Sequence, residues 1–341
     1  MSSKLRWSLF SSLAAGAIAL AVFGLPDLRA QADDPIQMRI GTIAPENTPW
    51  EKQLKDLRKY IETETQGRVR VRAFMGGSLG GERAIARRVA QGTLQAFGGS
   101  TAALAAMVPE MDLFEAPYLF DSERQADKAL DSDAVKAEVS KLLEAKGMKF
   151  ALWAENGYRS WFTREKRVRT PSDFRGLRMR SQESDIHLEI YRSLGADPVP
   201  LDVTNVMQSL QTGAVDGFDN TPLFAFATSW YQAAKHMILS RHSYQAGIVV
   251  YSKRWFDGLP ADIQRVLLSV PQSLTDEGRK GIRAMDPILI RNLQQFGIEV
   301  HKPSNAELAE FKKGTDKVAD KIANKLGASG KRLLSTIKSN R

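Results

Sequence analysis

A two-domain α/β fold, with a ligand cleft between the domains, is the architecture this sequence predicts. Strand and helix patterns alternate from residue 38 to residue 97, which calls for a parallel sheet covered by helices. The pattern begins again at Trp161-Phe162-Thr163, and no low-complexity linker separates the two runs. About 310 residues remain after an export leader, more than one hydrophobic core usually organises. Two lobes with the chain crossing between them reconcile these facts: residues 37–156 plus 245–286 in domain I, and 157–244 plus 287–341 in domain II.

Residues 1–32 read as a secretory signal, cleaved after Ala32. Lys4 and Arg6 precede an apolar run from Leu9 to Leu25, and Ala30-Gln31-Ala32 places small residues where a signal peptidase reads. Gly16, Gly24 and Pro26 keep that run short of the roughly 20 unbroken apolar residues a spanning helix needs. The chain has no cysteine, which excludes a disulfide framework, thiolate metal ligands, a cysteine nucleophile and a lipid-modified N-terminal cysteine. Export without such an anchor points to a Gram-negative periplasm. The net charge of +9 does not point to nucleic acid, because the chain is exported and most Lys and Arg alternate with Glu and Asp. Basic residues dominate from Arg164 to Arg180, an excess suited to steering anions.

Each element has its own local cause. Met38-Arg39-Ile40-Gly41-Thr42 alternates as a strand; Thr48 then caps a helix with Pro49 in its first position and Trp50, Leu54, Leu57 and Ile61 on one face. Gln66-Gly67-Arg68 stops it, and Val69–Phe74 alternates as a second strand. The glycine-rich turn Met75–Gly81 opens a helix from Glu82 to Gln91, which Gly92 ends before a strand at Leu94–Phe97. An apolar loop, 113–120, leads to a long helix over 123–145 and a strand over Lys149–Trp153. In the second run Thr170-Pro171-Ser172-Asp173 begins a helix, and Leu177–Arg180 is a strand. Residues 184–194, 203–211 and 222–233 are helical, and a further strand ends at Asp219-Asn220. Gly247–Ser252 is a β-branched strand, Leu259-Pro260 opens a helix, and 273–296 forms a long one. A strand at 298–301 and a basic helical tail close the chain.

Open α/β sheets hold ligands at the carboxyl ends of their strands. Arg159, Arg180 and Asn220 all fall near such ends or near the crossing. A guanidinium donates two parallel hydrogen bonds to a carboxylate, so Arg180 can hold an anionic ligand or pair with a structural acid. Asp219 reads as a brace for an arginine, and Glu155 as a neighbour able to pair with Arg159. Trp153, Tyr158, Trp161 and Phe224 are candidate pocket walls, although aromatics at strand ends more often belong to the core. The loop Gly76–Gly81 lacks the lysine and hydroxyl of a nucleotide-binding loop and reads as a turn. His187, His236, His242 and His301 show neither zinc-ligand spacing nor a nucleophile motif, and Glu183 with His187 reads as a surface helix pair. No catalysis, metal or cofactor is expected.

Several segments in order resemble the solute receptors of tripartite ATP-independent periplasmic (TRAP) transporters, in their dicarboxylate-receptor family. Gly77-Ser78-Leu79-Gly80-Gly81-Glu82 with Gly92-Thr93-Leu94, and the proline-centred loop Phe114–Phe120, are similar to that family's first half. Thr170–Arg180, Gly213–Asn220 and Trp255-Phe256-Asp257-Gly258-Leu259-Pro260 are similar to its second. The resemblance implies a clamp-like, type II-like periplasmic binding protein fold that closes on an organic acid and delivers it to integral membrane subunits. It puts Arg180 in the place of the carboxylate-binding arginine, Arg159 in that of a second ligand arginine, and Asn220 in that of an asparagine near the ligand. Two departures stand out. Asp219 replaces the usual glutamate, and Asn205-Val206-Met207 replaces Glu-Val-Tyr, removing a hydroxyl from the expected cleft region. A sensory-input receptor of the same fold is the alternative reading.

Overall fold

The computed structural model describes residues 34–341; the expected signal segment lies outside them. Its strands are β1 (Ile36–Gly41), β2 (Val69–Phe74), β3 (Ala96–Ser100), β4 (Met148–Thr163), β5 (Arg178–Ser181), β6 (Asp197–Pro200), β7 (Gly217–Asn220), β8 (His236–Ser252) and β9 (Glu299–His301). All belong to one mixed sheet in the order β2-β1-β3-β8-β4-β7-β5-β6, with β9 on β8. Two parallel trios stand at its ends, β2-β1-β3 and β7-β5-β6. Between them β4 and β8 run antiparallel to each other, β8 antiparallel to β3 of the first trio and β4 antiparallel to β7 of the second.

Those two crossing strands are the main departure from the sequence pattern. They span 16 and 17 residues where short separate strands were expected at 149–153, 161–163 and 247–252. Three register shifts interrupt β4, at Phe150/Leu152, Glu155/Gly157 and Arg159/Trp161, with Gly157 at φ +97°. Each bulge shifts the two-residue alternation by one, and burial on both faces hides the rest. The crossing strands carry Arg159 and Gln245 from one trio towards the other.

Local chemistry explains most helices. In α1 (Pro49–Glu64), Thr48 accepts from Glu51 N–H and the buried Trp50, Leu54, Leu57 and Ile61 form one stripe. Helix α2 (Glu82–Ala90) starts at Gly81 with no side-chain cap. The helix expected over 123–145 is two, because Ser132 adopts an extended conformation and caps the second through Val135 N–H. That expected over 222–233 breaks at Ser229, which is left-handed at φ 61°. The long helix Gln272–Gln295 packs along α1 and β4. The C-terminal helix Gly327–Asn340 packs on Pro109–Glu115 and the helices Glu123–Asp131 and Asp133–Glu144. Leu333, Leu334 and Ile337 there share a core cluster with Leu130 and Val135.

Candidate ligand-binding cleft

Two adjoining hollows of about 480 Å³ each lie between the parallel trios, and both are lined by Ile43, Glu82, Asn156 and Phe224. Together they form one cleft of the size that holds a small molecule. The first hollow adds Arg159, Arg180, Gln182, Asp202, Asn220 and Gln245. The second adds Trp50, Leu54, Gly98, Gly99, Ala154 and Gly247. Strand ends supply the polar groups: Arg180 sits one residue before the end of β5, and Asn220 ends β7. Phe224 lies in the first turn of Pro222–Ala227, a helix capped by Thr221.

Arg180 is a buried cation without a carboxylate partner. It is 3% exposed, and no acid among the described residues lies within ion-pair distance of it. Its Nε and Nη2 both donate to the Leu201 carbonyl, at 3.2 and 2.9 Å, which leaves Nη1 without a protein acceptor. The guanidinium stands 5.2 Å from the Trp230 ring. Burial, and then the neighbouring Arg159 charge, lower its pKa to about 10. Asn220 stands beside the same hollow; its Oδ1 accepts from Thr221 N–H, so its amide hydrogens remain free to donate.

Arg159 is different, because it is already paired. Its Nε meets Asp219 Oδ2 at 2.5 Å, Nη2 donates to the Asp219 carbonyl at 2.6 Å, and Nη1 donates to Gln245 and Gln182. Burial would raise the Asp219 carboxyl, but Arg159 and His242 overcome it and hold that group well below the usual carboxylate range. Tyr191 donates to Asp219 from the other side at 2.8 Å. Behind them Glu115 takes Gln245 Nε2 and His187 Nε2, both at 2.7 Å. Burial lowers His242 to about 4, so it stays neutral in its stack on Trp161.

Of the residues singled out in the sequence, Arg159, Arg180, Asn220 and Phe224 share the first hollow. Asp219 stands behind it as the brace of Arg159. Trp153 and Tyr158 line neither hollow. The Trp153 indole donates to Leu130 O within the core, and the Tyr158 hydroxyl donates to Phe120 O beneath Arg241. Trp161 is core as well. Glu155 does not pair with Arg159: it binds Arg283 and Tyr244. His187 is buried rather than a surface partner of Glu183, which pairs across the cleft mouth with Arg83 at 3.4 Å. Met207, where a tyrosine is usual, lines neither hollow but a separate surface one with Arg164 and Gln232.

Sequence reasoning missed Glu82, Gln182, Gln245, Asp202 and Trp50. Glu82 and Gln182 carried a signal, one opening a helix after paired glycines and the other two residues past Arg180. Trp50 read as core because it keeps the stripe of α1 while its edge faces the cleft. Gly81 explains part of the closed mouth. A Cβ there would overlap the Asp202 carboxylate, so any other residue requires Asp202 to move for the two sides to meet.

A cleft between two halves of a crossed α/β sheet, with a buried unpaired cation facing it, defines a two-domain periplasmic binding protein. Residues 40–326 match the profile of bacterial extracellular solute-binding protein, family 7, and the chain belongs to that family, the solute receptors of TRAP transporters. It is 27% identical over 297 residues to the 2,3-diketo-L-gulonate-binding periplasmic protein YiaO of Escherichia coli K12, covering 87% of this chain and 88% of that one. The C4-dicarboxylate-binding periplasmic protein DctP of Rhodobacter capsulatus is 28% identical over 297 residues, covering 86% and 89%. The sugar acid binding protein DctPAm of Advenella mimigardefordensis, solved with galactonate, matches in fold with a TM-score of 0.84 at 24% identity, over 90% of this chain and 99% of that one.

Proposed function

We propose that this protein is a periplasmic receptor that captures a small organic acid through Arg180 and delivers it to the integral membrane subunits of a TRAP transporter. The observation that carries the reading is the buried Arg180 guanidinium, with a free Nη1 and, among the described residues, no acid within ion-pair distance. A buried charge of that kind is stabilised by an incoming carboxylate, and exclusion of water strengthens the pair. Asn220 adds a second donor at the same spot, Arg159 holds the floor through Asp219, and Phe224 supplies an apolar wall. Closure of the two sides around the ligand hinges where β4 and β8 cross, and it makes the contact Arg83–Glu183 at the mouth and the partly buried contact Gln182–Ser100 within. Both YiaO and DctP are named for acidic solutes, which fits an anion in this cleft.

A thermal-shift screen against sugar acids, keto acids, C4-dicarboxylates and aromatic acids tests the reading, since a ligand raises stability by mass action. At least one acid should raise the melting temperature of the wild type and not that of an Arg180→Met variant. An acid that stabilises both equally would overturn the site. Export is tested separately: the intact mass of protein recovered from the periplasm should begin at Asp33, after cleavage at Ala32.

A further inference from the structure

Glu82 stands on the wall shared by the two hollows, whereas Arg180 lines only the first. Its carboxylate is held in place without a cation. Oε1 accepts from Ser100 N–H at 2.6 Å, Oε2 accepts from Ser100 Oγ at 2.9 Å, and Gln182 Nε2 approaches Oε2 at 3.5 Å. No Lys, Arg or His pairs with it among the described residues. The other lining cations are committed, Arg159 to Asp219 and Arg83 to Glu183. The second hollow is lined by no cationic side chain at all. Its other acid, Glu155, is taken up by Arg283 and Tyr244. Asn156 spends its Nδ2 on Gln245, which leaves Oδ1 as an acceptor in the hollows that Glu82 also lines.

We propose that Glu82 sets the ligand class: the cleft takes a hydroxylated monocarboxylate, with its acid on Arg180 and its hydroxyls on Glu82 and Asn156, and refuses a second carboxylate. The inference rests on the reading of Arg180 as the carboxylate partner. The physical ground is a count of charges. One unpaired cation neutralises one carboxylate; a second would be desolvated among acceptors, facing a like charge. A hydroxyl in the same place donates to those acceptors. This preference departs from a dicarboxylate receptor although DctP of Rhodobacter capsulatus is a relative.

Two matched pairs of probes test it by calorimetry: threonate against tartrate, and galactonate against galactarate. Each diacid differs from its monoacid only in a terminal carboxylate that replaces a hydroxymethyl group. In the wild type at pH 8 a monoacid should bind at least about a hundredfold more tightly than its diacid, the scale of a like-charge clash. Glu82→Gln, checked for folding by circular dichroism, should narrow that gap to about tenfold or less by admitting the diacid. Lowering the pH from 8 to 6 should narrow it in the wild type but not in the variant. Burial pushes the Glu82 carboxyl up to about 7, with Ser100, Glu115 and Arg180 as its other influences. A diacid that binds the wild type as tightly as its monoacid, and loses affinity in Arg180→Lys, would overturn the role of Glu82 while leaving Arg180 in place. Failure of all four probes to bind would overturn the ligand class, and the wider acid screen would then judge Arg180 alone.

Discussion

Apo-protein stability should separate the two cleft arginines, because they solve the problem of burial in opposite ways. Arg180 holds a charge that burial disfavours, its pKa falling from the usual guanidinium value to about 10, which amounts to about 3 kcal/mol against the folded apo form. Arg180→Met removes that cost at similar volume. It also forfeits two N–H donations to one carbonyl, about 2 kcal/mol, and the contact with Trp230, about 1 kcal/mol. The terms nearly cancel, so the apo melting temperature should stay within about 3 °C of wild type. Ligand affinity should nonetheless fall at least about a hundredfold, since a desolvated carboxylate loses the one unpaired cation that lines the hollow. Arg159→Met leaves Asp219 charged and unpaired in the core and should cost about 3–5 kcal/mol before any ligand is added. Arg180→Lys keeps the charge but not the fork and should lose at least about tenfold in affinity. Arg178 is the control. Its guanidinium already binds Asp216 and the Gly213 carbonyl on the surface, so Arg178→Ala should leave equilibrium affinity nearly intact. Differential scanning calorimetry and titration calorimetry on the four variants decide the matter. An Arg180→Met protein as unstable as Arg159→Met, or one that binds ligand like wild type, would refute the reasoning.

Two further outcomes follow from particular contacts. Gly81→Ala is compatible with its backbone at φ −68° but drives a methyl into the Asp202 carboxylate. The variant should fold normally, bind at least about tenfold more weakly, and show no compaction in small-angle scattering at saturating ligand; Asp202→Ala in the same chain should restore compaction. The apo protein should also lose stability as pH rises. Glu82 is raised from 4.5 to about 7 in the fold, so its contribution is complete below 4.5 and disappears as pH climbs through 7, a change of about 3 kcal/mol. Asp112, also pushed up to about 7 by burial, adds to the slope. Chemical denaturation at pH 5 and pH 8 should therefore show a smaller drop in Glu82→Gln than in wild type, and an unchanged drop would contradict the burial of that acid.

What the sequence determined alone is local. Thr48-Pro49 starts α1, Gly92 stops α2, and the motif around Arg178-Met179-Arg180 forms a strand end, because caps, turns and short-range periodicity act within a few residues. Those rules were enough to recover two α/β runs and to put Arg180 and Asn220 at adjacent strand ends. Partnership was not legible in the same way. Asp219 rather than Glu155 braces Arg159, though the first is 60 residues away and the second only four, since β4 and β7 pair in register at the crossing. Trp153 and Phe224 are both buried aromatics near the middle of the chain, yet only the second reaches the cleft, because β4 turns the Trp153 indole onto Leu130 O in the core while Phe224 rides on the helix that follows the end of β7. Glu82 acquired its place opposite Arg180 only when two parallel trios, joined by 16- and 17-residue strands, came to face each other. Hydrogen bonds and charge pairs act over a few ångströms of space, and that distance is set by the sheet rather than by separation along the chain.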